Sequence, residues 1–268
     1  MNKFLISVII PTYKPKDYLY ECLESLAHQT LSPSKYELIL VLNGCCEPWK
    51  MDIDKYINEC LNHINIKFIH TDIAGVSNAR NFAIDNAEGE YITFIDDDDY
   101  VSPTYLDDLY NVSDRNTIGV ARPIAFNDIT KTQVDYPITN LFDKLYPSKN
   151  LSFLRLRRYF IGPCMKLIHR DIINNRRFNT SFCVGEDGLF MFLISDEFNK
   201  CSLANSRSVY YRRYRDGSLV AKRTREYIKV NNRNLLKSTL EIYKTNIIRY
   251  NFIFFLMQVI SYIKGIVW

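Results

Sequence analysis

Four short apolar runs punctuate the first hundred residues: FLISVII (4–10), YELILVL (36–42), IKFIHT (66–71) and YITFI (91–95). Pro11 stops the first and Asn43-Gly44 the second. Between them the period changes. DYLYECLESLAHQTL (17–31) places apolar residues at 19, 22, 23, 26 and 27, which is helical spacing. Segments 50–62 and 76–87 are also predicted helices, the latter between Gly75 and Gly89. Strands that alternate with helices predict an α/β fold with a mostly parallel, doubly wound sheet and helices on both faces. Strands buried on both faces are continuously apolar, as these are.

Past about residue 120 the alternation weakens. TIGVARPIAF (117–126) predicts a strand, CSLANSRSVYYRRY (201–214) contains another, and a helix is expected after Glu186. From 222 to 249 there are eight Lys or Arg against two Glu, a local net of +6, followed directly by FIFFLMQVISYI (252–263). This is read as a C-terminal helical extension.

Ligands of open α/β sheets bind beyond the carboxyl ends of the strands. Three unusual segments fall there: Pro11-Thr12-Tyr13, Asn43-Gly44 and the four consecutive carboxylates Asp96 to Asp99. Two like charges 4 Å apart repel by about 1 kcal/mol in water and several times that near a protein surface. Ser102-Pro103 predicts the N-cap and first turn of a following helix, and one helix dipole repays about 0.3–1 kcal/mol. Four carboxylates exceed that need. A divalent cation, Mg²⁺ or Mn²⁺, suits carboxylate oxygen and keeps positions for substrate phosphates.

The 268 residues suit one large domain or a domain with an appendage, and 47% apolar residues supply a sizeable core. A net charge of +4 gives no ground for a nucleic-acid partner. The seven cysteines form no CxxC pair, so reduced thiols in a cytosolic protein are expected. MNKFLISVIIPTY lacks a small-residue cleavage site and is read as the first strand rather than a signal peptide. No GxGxxG, P-loop, HExxH or GxSxG motif occurs.

SVIIPTY, GVSNARNFAI, GEYITFIDDDD and GEDGLF, in this order, resemble family 2 glycosyltransferases with the GT-A fold over roughly residues 4 to 220. The resemblance implies an inverting hexosyltransferase-type enzyme that uses Mn²⁺ or Mg²⁺. Its donor would be a nucleotide sugar, with UDP the expected nucleotide. In that family the Asp-x-Asp after the fourth strand binds metal and donor. Carried over, Asp98 is the direct metal ligand and Asp96 lies against ribose and sugar, with Asp97 beside them. Thr12, Tyr13 and Asn43 would line the nucleotide, although many relatives carry Asp at position 43. Arg80 would lie beside the diphosphate and acidic loop, or pair structurally with one of the four Asp residues. YYRRYRDGS (210–218) places Arg213, Arg215 and Ser218 over the diphosphate. Asp187 of the Glu-Asp pair would be the general base, with Glu186 holding the acceptor or orienting the base and Lys166 as a further acceptor-side candidate. The resemblance divides the chain into a donor half (1–115), an acceptor half (116–220) and a tail (221–268).

The apolar run 252–263 is shorter than the ~20 residues that a spanning helix needs. A basic stretch beside it suits peripheral attachment to the inner face of the cell membrane; packing on the core or on a second subunit, and a true span, are the alternatives. A membrane site fits a lipid-pyrophosphate-linked saccharide acceptor in O-antigen, capsule or exopolysaccharide synthesis. Two other readings remain: a non-catalytic nucleotide-sugar-binding protein, and a sugar-phosphate nucleotidyltransferase. The second normally has a Gly-rich loop where this chain has PTYKPKD.

Overall fold

The computed structural model describes residues 3–215 and 224–267. In chain order the strands are β1 (Phe4–Thr12), β2 (Tyr36–Asn43), β3 (Ile66–Thr71), β4 (Gly89–Phe94), β5 (Tyr100–Val101), β6 (Thr117–Val120), β7 (Arg122–Asn127), β8 (Gln133–Val134), β9 (Leu151–Ser152), β10 (Lys166–His169), β11 (Lys200–Leu203) and β12 (Val209–Tyr214). The helices are α1 (Tyr18–Ala27), α2 (Trp49–Cys60), α3 (Val76–Asn86), α4 (Tyr105–Tyr110), α5 (Pro137–Leu145), α6 (Arg170–Ile173), α7 (Glu186–Leu193), α8 (Arg225–Thr245) and α9 (Phe252–Val267).

Eight strands form one mixed sheet in the order β3-β2-β1-β4-β10-β6-β11-β9, and four form a smaller sheet, β5-β12-β7-β8. The first four strands of the large sheet are parallel, as their apolar continuity predicts. Strand β10 runs antiparallel between β4 and β6 and joins the two halves.

Three expectations shift. Strand β1 does not stop at Pro11 but runs through it to Thr12. Ile9 accepts from the amide of Ile95 beside β4, so Pro11, two residues on, faces the same side. There β4 has already turned away into the acidic segment, so the missing N–H of Pro11 costs no ladder bond. The predicted strand 117–126 divides at Ala121 into β6 and β7, which belong to different sheets. The second stretch divides likewise into β11 and β12, pairing in parallel with β6 and β7 respectively. Ser102 does not cap a helix: α4 starts at Tyr105, and the Ser102 hydroxyl accepts from the Val209 amide at 2.8 Å. It ties the acidic segment to β12.

The tail packs back on the core. Leu235 of α8 joins Phe182, Leu189 and Tyr262 in a small apolar cluster. Phe254 and Phe255 of α9 enter the main core. Gly185 lets α8 approach this closely: its φ is +82°, and a Cβ there would lie 2.6 Å from Leu235 Cδ1.

Candidate active site

The four carboxylates leave the end of β4 and are held by groups from both halves of the chain. Thr12, at the end of β1, donates its hydroxyl to Asp97. Arg215 donates Nε to Asp98 Oδ2 at 2.7 Å, and its guanidinium lies 4.6 Å from the centre of the Tyr18 ring. Asp99 is buried and accepts the Arg213 amide at 2.7 Å. Among the described residues the ion pairs of the four carboxylates are two, Arg80 with Asp96 and Arg215 with Asp98. Burial pushes Asp97 up to about 7; burial and the Asp96 charge raise Asp98; burial drives Asp99 well above the ordinary carboxylate range. The loop is short of positive charge.

Arg80, on α3, is 3% exposed and bridges two carboxylates: NH1 donates to Asp187 Oδ1 at 2.5 Å and NH2 to Asp96 Oδ1 at 3.0 Å. Its guanidinium lies over the Phe178 ring, 5.3 Å from the centroid. Asn81 fixes that ring's backbone, exchanging hydrogen bonds of 2.8 and 2.9 Å with the Phe178 amide and carbonyl. The Asn-Ala-Arg-Asn sequence thus supplies both the cation and the clamp for its support. Asp187 sits in the first turn of α7, where a helix N-terminus favours negative charge. Its side chain is 31% exposed, open to a cavity of about 130 Å³ shared with Asp96 and Gly162. Burial raises its pKa and Arg80 opposes the rise.

The other predicted residues take distinct positions. Asn43 is buried and spends its amide on the strand ends, donating to the Thr12 carbonyl at 2.7 Å and accepting the Gly75 amide at 2.9 Å. Tyr13 is 50% exposed just past the end of β1. Arg213 does not line the Asp187 cavity. Its buried guanidinium pairs with Glu21 and Asp128 and donates Nε to the Asp98 carbonyl at 2.7 Å, so it braces the acidic segment from behind. Lys166 is likewise committed to protein groups. It is 1% exposed, and its ammonium donates to the Gly162 and Cys164 carbonyls at 2.7 Å each. Burial lowers it to about 8. It props the turn that lines the Asp187 cavity. Glu186 is buried beside Asp187 and adds to the negative field around Arg80. Ser218 lies outside the described residues.

The position-by-position reading missed Tyr210 and Arg212, which face the same cavity as Asp187. The signal was the strand period of two. On β12, Tyr210 and Arg212 point one way, while Tyr211 and Arg213 point the other.

Residues 7–177 match the family model described as Glycosyl transferase family 2. The chain belongs to that family.

Several relatives extend the family assignment. The minor teichoic acid biosynthesis protein GgaB of Bacillus subtilis (strain 168) is 32% identical over 216 residues, covering 79% of this chain and 23% of that protein. A poly(ribitol-phosphate) beta-glucosyltransferase of Bacillus spizizenii is 30% identical, covering 79% of this chain and 33% of that protein. The chain therefore spans a quarter to a third of these relatives' lengths. S. aureus TarS 1-349 in complex with UDP-GlcNAc superposes with a TM-score of 0.74 at 20% identity, over 98% of this chain and 72% of that one. GalNAc-T7 with UDP, GalNAc and Mn²⁺ superposes with a TM-score of 0.60 at 16% identity, over 84% and 48%. At these identities the likeness shows the GT-A fold.

The donor set of this family 2 domain suits a hard divalent cation, since Asp96 and Asp98 offer only carboxylate oxygen. Among the described residues no three His, Cys, Asp or Glu side chains converge as a metal cage. An ion here would take one or two carboxylates and complete its shell with phosphates and water, the usual Mg²⁺ pattern. The charge deficit of the loop fits such an ion.

Proposed function

We propose that the protein is an inverting, metal-dependent glycosyltransferase. It moves a sugar from a nucleoside diphosphate donor, UDP in this reading, to a hydroxyl of a cell-surface glycan acceptor. One observation carries the reading: Arg80 joins Asp96 of the acidic loop to Asp187 across the same cavity, which sets a carboxylate base opposite the donor side. Asp98, with Asp96, would hold Mn²⁺ or Mg²⁺, which when bound stabilises the charge of the departing diphosphate. Thr12 and Tyr13 line the nucleotide, Arg215 faces the diphosphate, and Ser218 is assigned there with it.

Asp187 accepts the proton of the acceptor hydroxyl as its oxygen bonds to C1 of the sugar. The bond from C1 to the diphosphate oxygen breaks, and the nucleoside diphosphate leaves with the electron pair. A single base with no enzyme nucleophile gives inversion. Glu186 orients the base. Donor binding is assigned to 1–115, acceptor binding to 116–220 and membrane contact to 221–268.

The acceptor in this reading is a lipid-pyrophosphate-linked saccharide of O-antigen, capsule or exopolysaccharide synthesis at the inner face of the cell membrane. The exposed side of α9 supports membrane contact. Ile253, Leu256, Ile260, Ile263 and Val267 are exposed at spacings of three and four, while Phe254, Phe255 and Tyr262 are buried. The exposed stripe adjoins Lys264 and the basic α8. Among the described residues no helix is long and apolar enough to cross a membrane, so contact would be peripheral.

The test is UDP release from UDP-sugars with Mn²⁺ and acceptor. Asp187→Asn is expected to keep donor affinity and cut turnover about 10²- to 10⁴-fold, with an inverted anomer as the wild-type product. Full turnover in the variant, or retention of configuration, would refute the assignment.

A further inference from the structure

We infer that Arg212 binds a phosphate group of the acceptor, next to the hydroxyl that Asp187 deprotonates. This rests on the transferase reading and narrows its substrate class.

The cavity that holds Asp187 is lined also by Asp96, Asp99, Tyr136, Tyr159 and Arg212. Strand β12 aims Arg212 into it. The guanidinium is held in place: NH1 donates to the Tyr136 hydroxyl at 2.7 Å, and the group lies 5.4 Å and 5.5 Å from the centres of the Tyr136 and Tyr214 rings. Arginine has five N–H donors, and the Tyr136 contact uses one.

Its neighbours are spent on acids. Arg122 pairs with Asp143, Arg213 with Glu21 and Asp128, and Arg215 with Asp98. Among the described residues Arg212 has no carboxylate partner within salt-bridge distance. Asp99 lines the same cavity and its charge reaches Arg212, but its Oδ1 accepts the Arg213 amide and it forms no ion pair with Arg212. A half-buried, oriented cation with no salt-bridge partner among the described residues, facing the cavity of the catalytic base, is built to receive an anion.

That anion is not the donor diphosphate. The diphosphate side is marked by Asp98, Arg215 and Tyr18, none of which lines this cavity. Arg212 stands instead where the acceptor must approach Asp187. A planar fork of donors matches a phosphate better than a lone hydroxyl. The phosphate has two chemical sources: a phosphodiester of a polyol-phosphate chain, or the pyrophosphate of a lipid-linked saccharide. Both place an anion near a free hydroxyl.

The experiment compares three acceptors with the whole protein: a polyol-phosphate oligomer, a short-chain prenyl-pyrophosphate saccharide, and the same saccharide without phosphate. Donor affinity is measured in parallel by calorimetry with Mn²⁺. Arg212→Gln is expected to raise KM for a phosphorylated acceptor roughly 10- to 100-fold more than for the neutral one, with donor affinity unchanged. The phosphorylated acceptor that suffers the loss identifies the source. Tyr136→Phe, which frees the guanidinium while keeping its charge, should shift KM in the same direction by less. An equal loss on the neutral acceptor, or a fall in donor affinity that tracks the loss, overturns the inference and leaves the transferase reading standing. Wild-type protein that releases no UDP with any acceptor overturns both.

Discussion

The two halves of the site are built differently. In the amino-terminal half, β1, β2 and β4 lie side by side in parallel, and each delivers its polar residues at its carboxyl end: Thr12, Asn43 and the acidic run. In the carboxyl-terminal half no such row appears among the described residues. There β6 pairs with β11 and β7 with β12, between distant segments, and β12 also reaches back to β5 of the first half. The first half presents the acidic run and Arg80; the second supplies Asp187, Arg212, Arg213 and Arg215. The candidate active site is the seam between them, and arginines close it. Arg80 reaches across 107 positions to Asp187, and Arg215 reaches back 117 positions to Asp98. A donor site can be laid down by local sequence, whereas a catalytic site of this kind exists only once the two halves are docked.

Cutting the Arg80 seam should have the largest effect. Arg80→Met leaves Asp187 without the cation that opposes its burial, so turnover near neutral pH should fall about 10- to 100-fold. The sign of the pH effect follows. The base works deprotonated, burial already raises its pKa above the ordinary Asp value of about 3.9, and loss of Arg80 raises it further. The acid limb of the rate profile should move to higher pH. A limb that stays in place would mean that Arg80 does not act through Asp187.

Arg213 joins the halves from behind the site, so its loss should act on stability first. Arg213→Met is expected to cost about 1.5–3 kcal/mol, the range for hydrogen bonds to charged groups, measured as a lower denaturant midpoint. An unchanged midpoint would show that the seam does not need this brace. The smallest effect on chemistry belongs to α9. Ile253→Glu, Leu256→Glu and Ile260→Glu together should move the protein off anionic vesicles while leaving turnover on soluble acceptors near normal. Unaltered partition would assign the exposed stripe to another surface.

The donor half was legible because its signals are local. The Asp run, the helical Asn-Ala-Arg-Asn segment and the continuous apolar strands all state their structure within a dozen residues. Asn81 and Phe178, far apart in the chain, show where that legibility ends: one fixes the ring on which Arg80 rests. In the acceptor half the information is pairwise. Nothing in TIGVARPIAF announces that Ala121 is where the chain leaves one sheet for another. Motif positions pointed to Arg213 as a diphosphate contact, but strand phase turns it inward and gives the cavity to Arg212. Lys166 was an acceptor-side candidate, and burial sets its ammonium against two carbonyls. The apolar tail was two-sided. Its composition suggested attachment or packing, and α9 buries one face against the core while exposing another.

Calorimetric titration of a UDP-sugar into the protein, with Mn²⁺ and with chelator, tests the central claim most directly, with Asp98→Ala as the comparison. The acidic loop is held short of positive charge, so wild-type binding should require Mn²⁺, and the variant should lose the metal-dependent part. Equal affinity with chelator, or a variant that binds as the wild type does, would contradict the account.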